Sequence, residues 1–204
     1  MNNKTNHHGI CLMKMSDKSR NNSELCRYSP FRDTMLDNRI RRIFQNPQKI
    51  AGPYLEEGMT AIDIGCGPGM FTLAMAAMVG DTGCVIAVDV QQEMLDVVKA
   101  KSDRLGLSSR IRFHQSKPET LGVTEKADFV LSFWMVHEVQ DRDTFLREIR
   151  DLLKPGGKYL IVEPSMHVSS AAFADTIGAA ERAGLKAVLS PHVFFSRATL
   201  FTLV

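Results

Sequence analysis

Residues 59–69 decide the fold of this chain, and they read Met-Thr-Ala-Ile-Asp-Ile-Gly-Cys-Gly-Pro-Gly. The apolar run at 59–64 predicts a buried strand, and the three glycines predict a tight turn that leads directly into a helix from residue 70. Glycines at this density cost conformational entropy without adding packed side chains, so we interpret the turn as a place where a ligand lies against bare backbone. We expect the N–H groups where the helix begins to favour an anionic part of that ligand.

Strands and helices alternate along the rest of the chain. Further strands are predicted at 84–89, 110–114, 127–133, 158–163, 184–189 and 198–204, and helices at 70–79, 91–105, 143–153 and 169–183. We expect Lys-Pro-Gly-Gly at 154–157 to end the third of these helices. The pattern predicts a doubly wound, mainly parallel α/β sheet, in which ligands bind beyond the carboxyl ends of the strands.

The N-terminal part of the chain has a different character. Residues 1–27 are polar and without periodicity, which predicts a disordered tail. A helix is predicted at 33–46, with Leu36, Ile40, Ile43 and Phe44 on one face, and Pro47 is suited to begin a second short helix. We therefore divide the chain into a tail at 1–27, a helical region at 28–57 and a ligand-binding domain at 58–204.

Composition narrows the class of protein. The chain has 204 residues, is 44% hydrophobic and has a formal net charge of +2, which gives no clear electrostatic footprint for nucleic acid. Its apolar stretches are too short for a membrane span, and its N-terminus lacks the pattern of a secretory signal. The four cysteines form no Cys-x-x-Cys pair, so we expect neither a disulfide framework nor a metal site. Because disulfides are rare in the cytoplasm, we expect the protein to be located there.

Two phosphate-binding interpretations of the glycine turn fit poorly. A nicotinamide enzyme would have Gly-x-Gly-x-x-Gly, and a triphosphate-binding loop would have Lys followed by Ser or Thr after its last glycine. Here the spacing is Gly65-x-Gly67-x-Gly69, followed by Met-Phe. Asp89, which ends the second predicted strand 20 residues past Gly69, can accept hydrogen bonds from the ribose hydroxyls of an adenosine cofactor.

Three motifs together are more specific. They are Asp-x-Gly-x-Gly-x-Gly at 63–69, Val-Asp-Val at 88–90 and Leu-Leu-Lys-Pro-Gly-Gly at 152–157. With these motifs, residues 47–204 resemble the class I S-adenosylmethionine-dependent methyltransferases, in particular the small-molecule, type 11-like group. The resemblance implies a seven-stranded Rossmann-like sheet with an antiparallel C-terminal strand, and N-terminal helices that form a lid.

The resemblance also implies cofactor contacts. Asp63 would hold the turn and place the methionine amino group of S-adenosylmethionine, and Asp89 would bind the ribose. The full set of candidates is Asp63, Gly65, Cys66, Gly67, Gly69, Asp89, Val90, Met94, Ser116, Lys117 and Ser132. After the third strand the family usually has an Asp that accepts from the adenine amino group. This chain has Gln-Ser-Lys-Pro at 115–118, and a lysine cannot accept that bond.

His137 is the candidate base. It follows the fourth predicted strand, beside the expected position of the methyl group, and a neutral imidazole accepts a proton near pH 7. Glu138 would orient it or bind a substrate amine. The alternative, given equal weight, is that His137 is structural and Glu138 is solvated. Further acceptor-binding candidates are Glu163 and His167 after the fifth strand, Trp134 and Met135, and Tyr28, Phe31, Met35 and Tyr54 in the lid. The alternatives are a solvated loop for Glu163 and His167, and two that we favour: core packing for Trp134 and Met135, and hydrophobic anchoring for each lid residue.

The predicted function is direct transfer of a methyl group to a small-molecule acceptor. Two alternatives stay open: a module that binds the cofactor without catalysis, and a nicotinamide-dependent oxidoreductase. The glycine spacing disfavours the oxidoreductase.

Overall fold

The computed structural model describes residues 44–204. The predicted tail at 1–27 and the lid residues 28–43 lie outside this part of the chain. The described helices are α1 (Pro47–Ile50), α2 (Met70–Met78), α3 (Gln92–Leu105), α4 (Arg142–Leu152) and α5 (Ser170–Arg182), and 3₁₀ turns lie at Gly52–Tyr54, Ser108–Arg110 and Val136–Glu138. None of the helices within 44–204 combines the length and apolar character that a membrane span needs.

The strands form one sheet of seven. They are β1 (Thr60–Ile64), β2 (Cys84–Asp89), β3 (Ile111–Gln115), β4 (Ala127–Phe133), β5 (Leu153–Pro164), β6 (Leu185–Leu189) and β7 (Ser196–Leu203). Their order is β3-β2-β1-β4-β5-β7-β6. Strands β1 to β5 pair in parallel, and β7 lies antiparallel between β5 and β6. This confirms the predicted doubly wound, mainly parallel seven-stranded sheet.

The largest error in a predicted strand boundary is at β5, and the other predicted strand bounds lie within two residues of the observed ones. The strand does not begin at Lys158, because β5 already pairs at Leu153, opposite Ala127, and resumes at Lys158, opposite Phe129. The intervening residues form an irregularity in which the backbones approach closely. A Cβ atom on Gly157 would lie 3.0 Å from the carbonyl oxygen of Ala127. Helix α4 nevertheless ends at residue 152, just before the Lys-Pro-Gly-Gly segment, as predicted.

The sheet separates two apolar layers because neighbouring side chains of a strand point to opposite faces. In β1, Ala61 belongs to the first layer and Ile62 to the second. The first layer is covered by α1, α2 and α3, and the second by α4 and α5. Helix α2 is buried over most of its surface, as its apolar sequence predicts. The carboxyl ends of β1, β2 and β4 therefore meet at one edge, with a helical layer on each side.

The short segment before β1 runs along the first layer. Pro47 is the first residue of α1, as predicted, and Asn46 caps this helix. The Tyr54 ring stacks on Phe129 with 5.8 Å between centroids, in the amino-terminal half of β4. This contact agrees with Tyr54 as a hydrophobic anchor and places its ring away from the carboxyl edge, so it is not an acceptor contact. Phe44 instead stacks on Phe194 at 4.8 Å, just before β7 begins at that edge.

Candidate active site

The glycine turn between β1 and α2 contains three residues with positive φ. These angles are +68° at Gly65, +50° at Gly67 and +87° at Gly69, a region in which side chains with a Cβ are strained. A Cβ atom at Gly65 would lie 2.9 Å from Met135, and one at Gly69 would lie 2.8 Å from Val98. A Cβ atom at Gly67 would meet no protein atom within 4 Å. Two of the glycines therefore serve internal packing, and Gly67 presents its backbone to the outside.

The N–H groups of this turn are bonded within the protein. Gly65 and Cys66 donate to the Val88 carbonyl at 2.8 and 3.0 Å, Gly67 donates to Asp89 Oδ2 at 2.9 Å, and Gly69 donates to the Cys66 carbonyl at 3.1 Å. Residue 68 is proline and has no N–H group. The turn folds back onto the end of β2 and uses these four donors there and within itself. The expectation that the first N–H groups of α2, from Met70 onward, favour an anionic group stays a prediction.

Two buried carboxylates lie beside the turn instead. Asp63, at the end of β1, is 2% exposed and accepts a 2.5 Å hydrogen bond from the Thr72 hydroxyl. Burial raises the pKa of Asp63 to about 7. Asp89, 7% exposed, accepts from the N–H groups of Gly67 and Gln91, and burial raises its pKa as well. Each carboxylate oxygen has further acceptor capacity, so the pair suits a ligand that is cationic and carries hydroxyl donors.

The residues predicted to contact adenine surround the ends of β2 and β3. Ser116 is buried and its N–H donates to the Asp89 carbonyl at 3.0 Å. Val90 is half-buried directly after Asp89, and Met94 is buried in the first turn of α3. Lys117 is exposed. The structure thus brings Val90, Met94 and Ser116 to the edge where Asp89 lies and leaves Lys117 in solvent.

Two other candidates lie inside the protein. Cys66 is buried, and burial raises the pKa of its thiol well above the ordinary value, which disfavours a nucleophilic thiolate. Cys66 therefore serves as a small side chain in a crowded turn, with no sign of nucleophile chemistry. The Ser132 hydroxyl is fully buried and accepts a 3.0 Å bond from the Tyr159 hydroxyl in the second core layer. This placement removes Ser132 from the set of cofactor contacts.

The candidate base forms a pair that the sequence did not predict. His137 lies in the 3₁₀ turn after β4, and its Nδ1 is 2.5 Å from Glu163 Oε2 at the end of β5. The other oxygen of Glu163 accepts the Val136 N–H at 2.8 Å. Glu163 is 1% exposed, and its hydrogen bond raises the pKa of His137 above the ordinary value despite the opposing effect of partial burial. The bond fixes the ring and leaves Nε2 as its outward nitrogen.

The predicted orienting role of Glu138 toward His137 is wrong. Its carboxylate is 3.9 Å from His137 Nε2 and more than half exposed, whereas Glu163 makes the short bond to the other ring nitrogen. The orienting role therefore belongs to Glu163. The sequence predicts only an acceptor contact for Glu163, because a residue 26 positions from His137 carries no local signal of their pairing.

Trp134 gives the backbone after β4 an unusual shape. Its φ is +60°, a conformation that costs a non-glycine residue about 1–3 kcal/mol and that recurs at functional sites. The residue is held by its N–H, which donates to the Val162 carbonyl at 2.7 Å, and by its indole N–H, which donates to Ser196 Oγ at 2.9 Å. The turn directs Met135 over Gly65. Met135 thus packs on the glycine turn, whereas the Trp134 ring stacks on Phe133 with 5.4 Å between centroids.

The strand order and the paired carboxylates around a glycine turn define a class I methyltransferase fold. The chain belongs to the family described as "Methyltransferase domain" (Methyltransf_31), whose model matches residues 55–187. This confirms the resemblance predicted from the sequence and leaves the oxidoreductase alternative without support.

Curated relatives carry more specific names. The chain is 30% identical over 166 residues to the "Ubiquinone/menaquinone biosynthesis C-methyltransferase UbiE" of Pseudoalteromonas translucida, a match that covers 78% of this chain and 65% of that protein. It is 37% identical over 112 residues to the "Demethylmenaquinone methyltransferase" of Lactobacillus johnsonii, covering 54% of this chain and 46% of that protein. The chain thus spans less than two thirds of the length of either relative.

Solved structures agree on the fold. An S-adenosylmethionine-dependent methyltransferase from Aquifex aeolicus superimposes with a TM-score of 0.77 at 26% identity, covering 87% of this chain and all of that one. A TehB-like methyltransferase from Corynebacterium glutamicum gives a TM-score of 0.66 at 18% identity, which shows the fold alone. The match to the methyltransferase family model and the likeness to the Aquifex aeolicus enzyme confirm the predicted cofactor, S-adenosylmethionine.

Proposed function

We propose that this protein transfers a methyl group from S-adenosylmethionine directly to a small-molecule acceptor. The observation that carries the proposal is the pair of buried carboxylates, Asp63 and Asp89, beside a turn whose N–H groups are already bonded. A dinucleotide pyrophosphate would need free donors at this turn. A cofactor with a cationic sulfonium and ammonium and a ribose diol instead matches carboxylate acceptors.

The chain's part in the reaction is mainly positional. When bound, S-adenosylmethionine would supply an electrophilic methyl group, which the acceptor would attack from the side opposite sulfur while the electron pair of the methyl–sulfur bond stayed with sulfur. Aligning the two molecules supplies an effective concentration of about 10⁵–10⁸ M. Asp63 would hold the methionine amino group, Asp89 the ribose, and the open backbone at Gly67 would lie against the cofactor.

For the acceptor we propose a hydroxylated ring that is methylated on carbon. The support comes from the names of two relatives, a quinone-pathway C-methyltransferase and a demethylmenaquinone methyltransferase. A ring carbon becomes a strong nucleophile when a neighbouring hydroxyl loses its proton. We propose that His137 Nε2 takes that proton, with Nδ1 held by Glu163.

This base role predicts a pH profile. The short bond to Glu163 raises the pKa of His137, so the ring is protonated and inactive as a base below that pKa. Turnover should therefore rise with pH as His137 loses its proton. Glu163→Gln removes the charge that raises the pKa and should move the rise to lower pH. Steady-state rates between pH 5.5 and 9 test this prediction.

The same assay tests the side chain itself. His137→Ala should lower kcat by about 10²–10⁴-fold, the usual contribution of a general base. His192→Ala is the matched control, since His192 is an exposed histidine between β6 and β7. Full turnover by His137→Ala, or a pH profile that Glu163→Gln does not move, would mean that His137 is structural.

The proposed function is tested in two steps. Calorimetry should show that S-adenosylhomocysteine binds and that NADH does not. A labelled-methyl assay with a panel of hydroxylated aromatic compounds should then show transfer to carbon. Binding of NADH alone would contradict the cofactor assignment. Cofactor binding with no transfer to any compound of the panel would support the non-catalytic module.

A further inference from the structure

A small cavity lies beyond the His137–Glu163 pair, between the first turns of α4 and α5. Its volume is about 200 Å³, and its walls include His137, Glu163, His167, Arg142 and Thr176. Pockets that enclose a whole ligand usually measure about 300–1,000 Å³. This cavity is therefore sized for one end of a molecule whose remainder lies outside it.

Arg142 is the unexplained group in this cavity. Its Nε is buried and has no hydrogen-bond partner within residues 44–204. A buried donor left unpaired destabilises a folded protein, and more so when it carries charge, so such donors are rare. Arg142 is also the first residue of α4, where the helix dipole disfavours a cation. Its position calls for a partner with negative charge.

The acidic groups around the cavity do not supply that partner. Glu163 accepts the Val136 N–H with one oxygen and bonds His137 with the other, so both of its oxygens are already engaged. On the outer side of Arg142, Asp143 pairs with Arg182 at 3.1 Å, and Asp175 lines the adjoining groove without forming an ion pair to Arg142 within the described residues. Arg142 is therefore the one charged side chain lining this cavity that has neither a hydrogen bond nor an ion pair from its guanidinium within residues 44–204.

We propose that this cavity, hereafter the Arg142 cavity, binds an ionised oxygen of the methyl acceptor through Arg142 and His137 Nε2. The inference rests on the proposed function and adds a chemical requirement: the acceptor carries an acidic hydroxyl or carboxyl group. The hydroxyl proton moves to His137 Nε2, and the resulting oxyanion stays between the imidazolium N–H and the guanidinium. The electron pair released on oxygen reaches the ring carbon that attacks the methyl group.

The test uses the full chain saturated with S-adenosylhomocysteine and two matched probes, benzoate and benzamide. They have the same shape, and only benzoate is charged. In ¹⁵N-labelled protein, benzoate should shift the Arg142 Nε–H and histidine ring resonances in a saturable way. Benzamide should bind at least about 10-fold more weakly than benzoate, because hydrogen bonds to a charged group are stronger than those to a neutral group.

Variants locate the effect. Arg142→Gln should weaken benzoate binding about 10-fold or more, and Arg147→Gln, an exposed arginine of the same helix, should leave it unchanged. If Arg142→Gln does not fold, Ala172→Leu fills the cavity from α5 and should abolish benzoate binding. Equal shifts from benzoate and benzamide would overturn the proposal, and so would unchanged benzoate binding in Arg142→Gln.

Calorimetry of S-adenosylhomocysteine on the same preparations separates this inference from the proposed function. Cofactor binding without a benzoate effect rejects the Arg142 cavity alone. Failure to bind S-adenosylhomocysteine at all rejects the methyltransferase assignment.

Discussion

Gly67→Ala is expected to weaken S-adenosylhomocysteine binding by about 100-fold, or about 2.7 kcal/mol, while the protein stays folded. A Cβ atom at this position meets no protein atom within 4 Å, so the substitution causes no internal clash. The new methyl group instead stands on the backbone against which the cofactor would lie. Calorimetric titration of the variant and the wild-type protein measures the difference.

Gly106→Ala is the matched control for this variant. Gly106 caps α3 with φ +68°, and a Cβ atom there also meets nothing within 4 Å. Both substitutions therefore place a side chain at a positive φ angle, and the resulting backbone strain should lower the free energy of unfolding by about 1–3 kcal/mol in each variant. Only Gly67→Ala should lose affinity. Equal affinities in the two variants would place the cofactor elsewhere.

The local hydrophobic pattern of the sequence was sufficient to predict the strands that position the site. The continuous apolar run at 84–89 predicted β2 with its observed bounds, because a strand covered on both faces needs apolar residues at every position. The carboxylate that ends this run, Asp89, lies beside the glycine turn, as its position at the carboxyl end of a parallel strand predicts. Alternation of strands and helices gave the sheet without any knowledge of strand order.

Contacts that depend on strand order were not predictable. Glu163 meets His137 because β4 and β5 are neighbours in register, with Phe133 opposite Val162, so the residues that follow each strand emerge together. The second role of Asp89, as the acceptor for Gly67, depends on how the turn folds back over β2. The sequence shows which groups are available, and the pairing register decides which of them meet.

The early start of β5 has the same origin. Lys-Pro-Gly-Gly has the composition of a helix stop and a loop, and no local signal shows that Leu153 already pairs with Ala127. Packing across the sheet overrides the turn preference of these residues. Gly157 is needed there for the close approach of the Ala127 carbonyl.

Asp63→Asn is expected to stabilise the cofactor-free protein at pH 8 by about 2 kcal/mol, a rise in Tm of roughly 4–8 °C. The pKa of Asp63 is about 7 in the folded protein and 3.8 in an ordinary setting. Between these values the folded state holds a proton that the unfolded chain has released. The free energy of unfolding therefore falls as pH rises through this window, by an upper limit of about 4 kcal/mol. Asparagine avoids that loss, so the gain should vanish near pH 4.

The same substitution should weaken S-adenosylhomocysteine binding by about 30-fold or more, because a buried charge pair loses about 2–5 kcal/mol when one partner is neutralised.

Asp128→Asn is the control. Burial raises the pKa of Asp128, but bonds from Lys154 and the Thr60 N–H lower it overall, so this carboxylate stabilises the fold above its unfolded pKa. Its loss should destabilise the protein at pH 8 and leave cofactor binding unchanged. Thermal unfolding and calorimetry should show that Asp63→Asn gains stability and loses cofactor affinity. This combination would mean that the Asp63 carboxylate serves ligand binding and destabilises the fold. Destabilisation at pH 8 with unchanged affinity would show that Asp63 serves the structure alone.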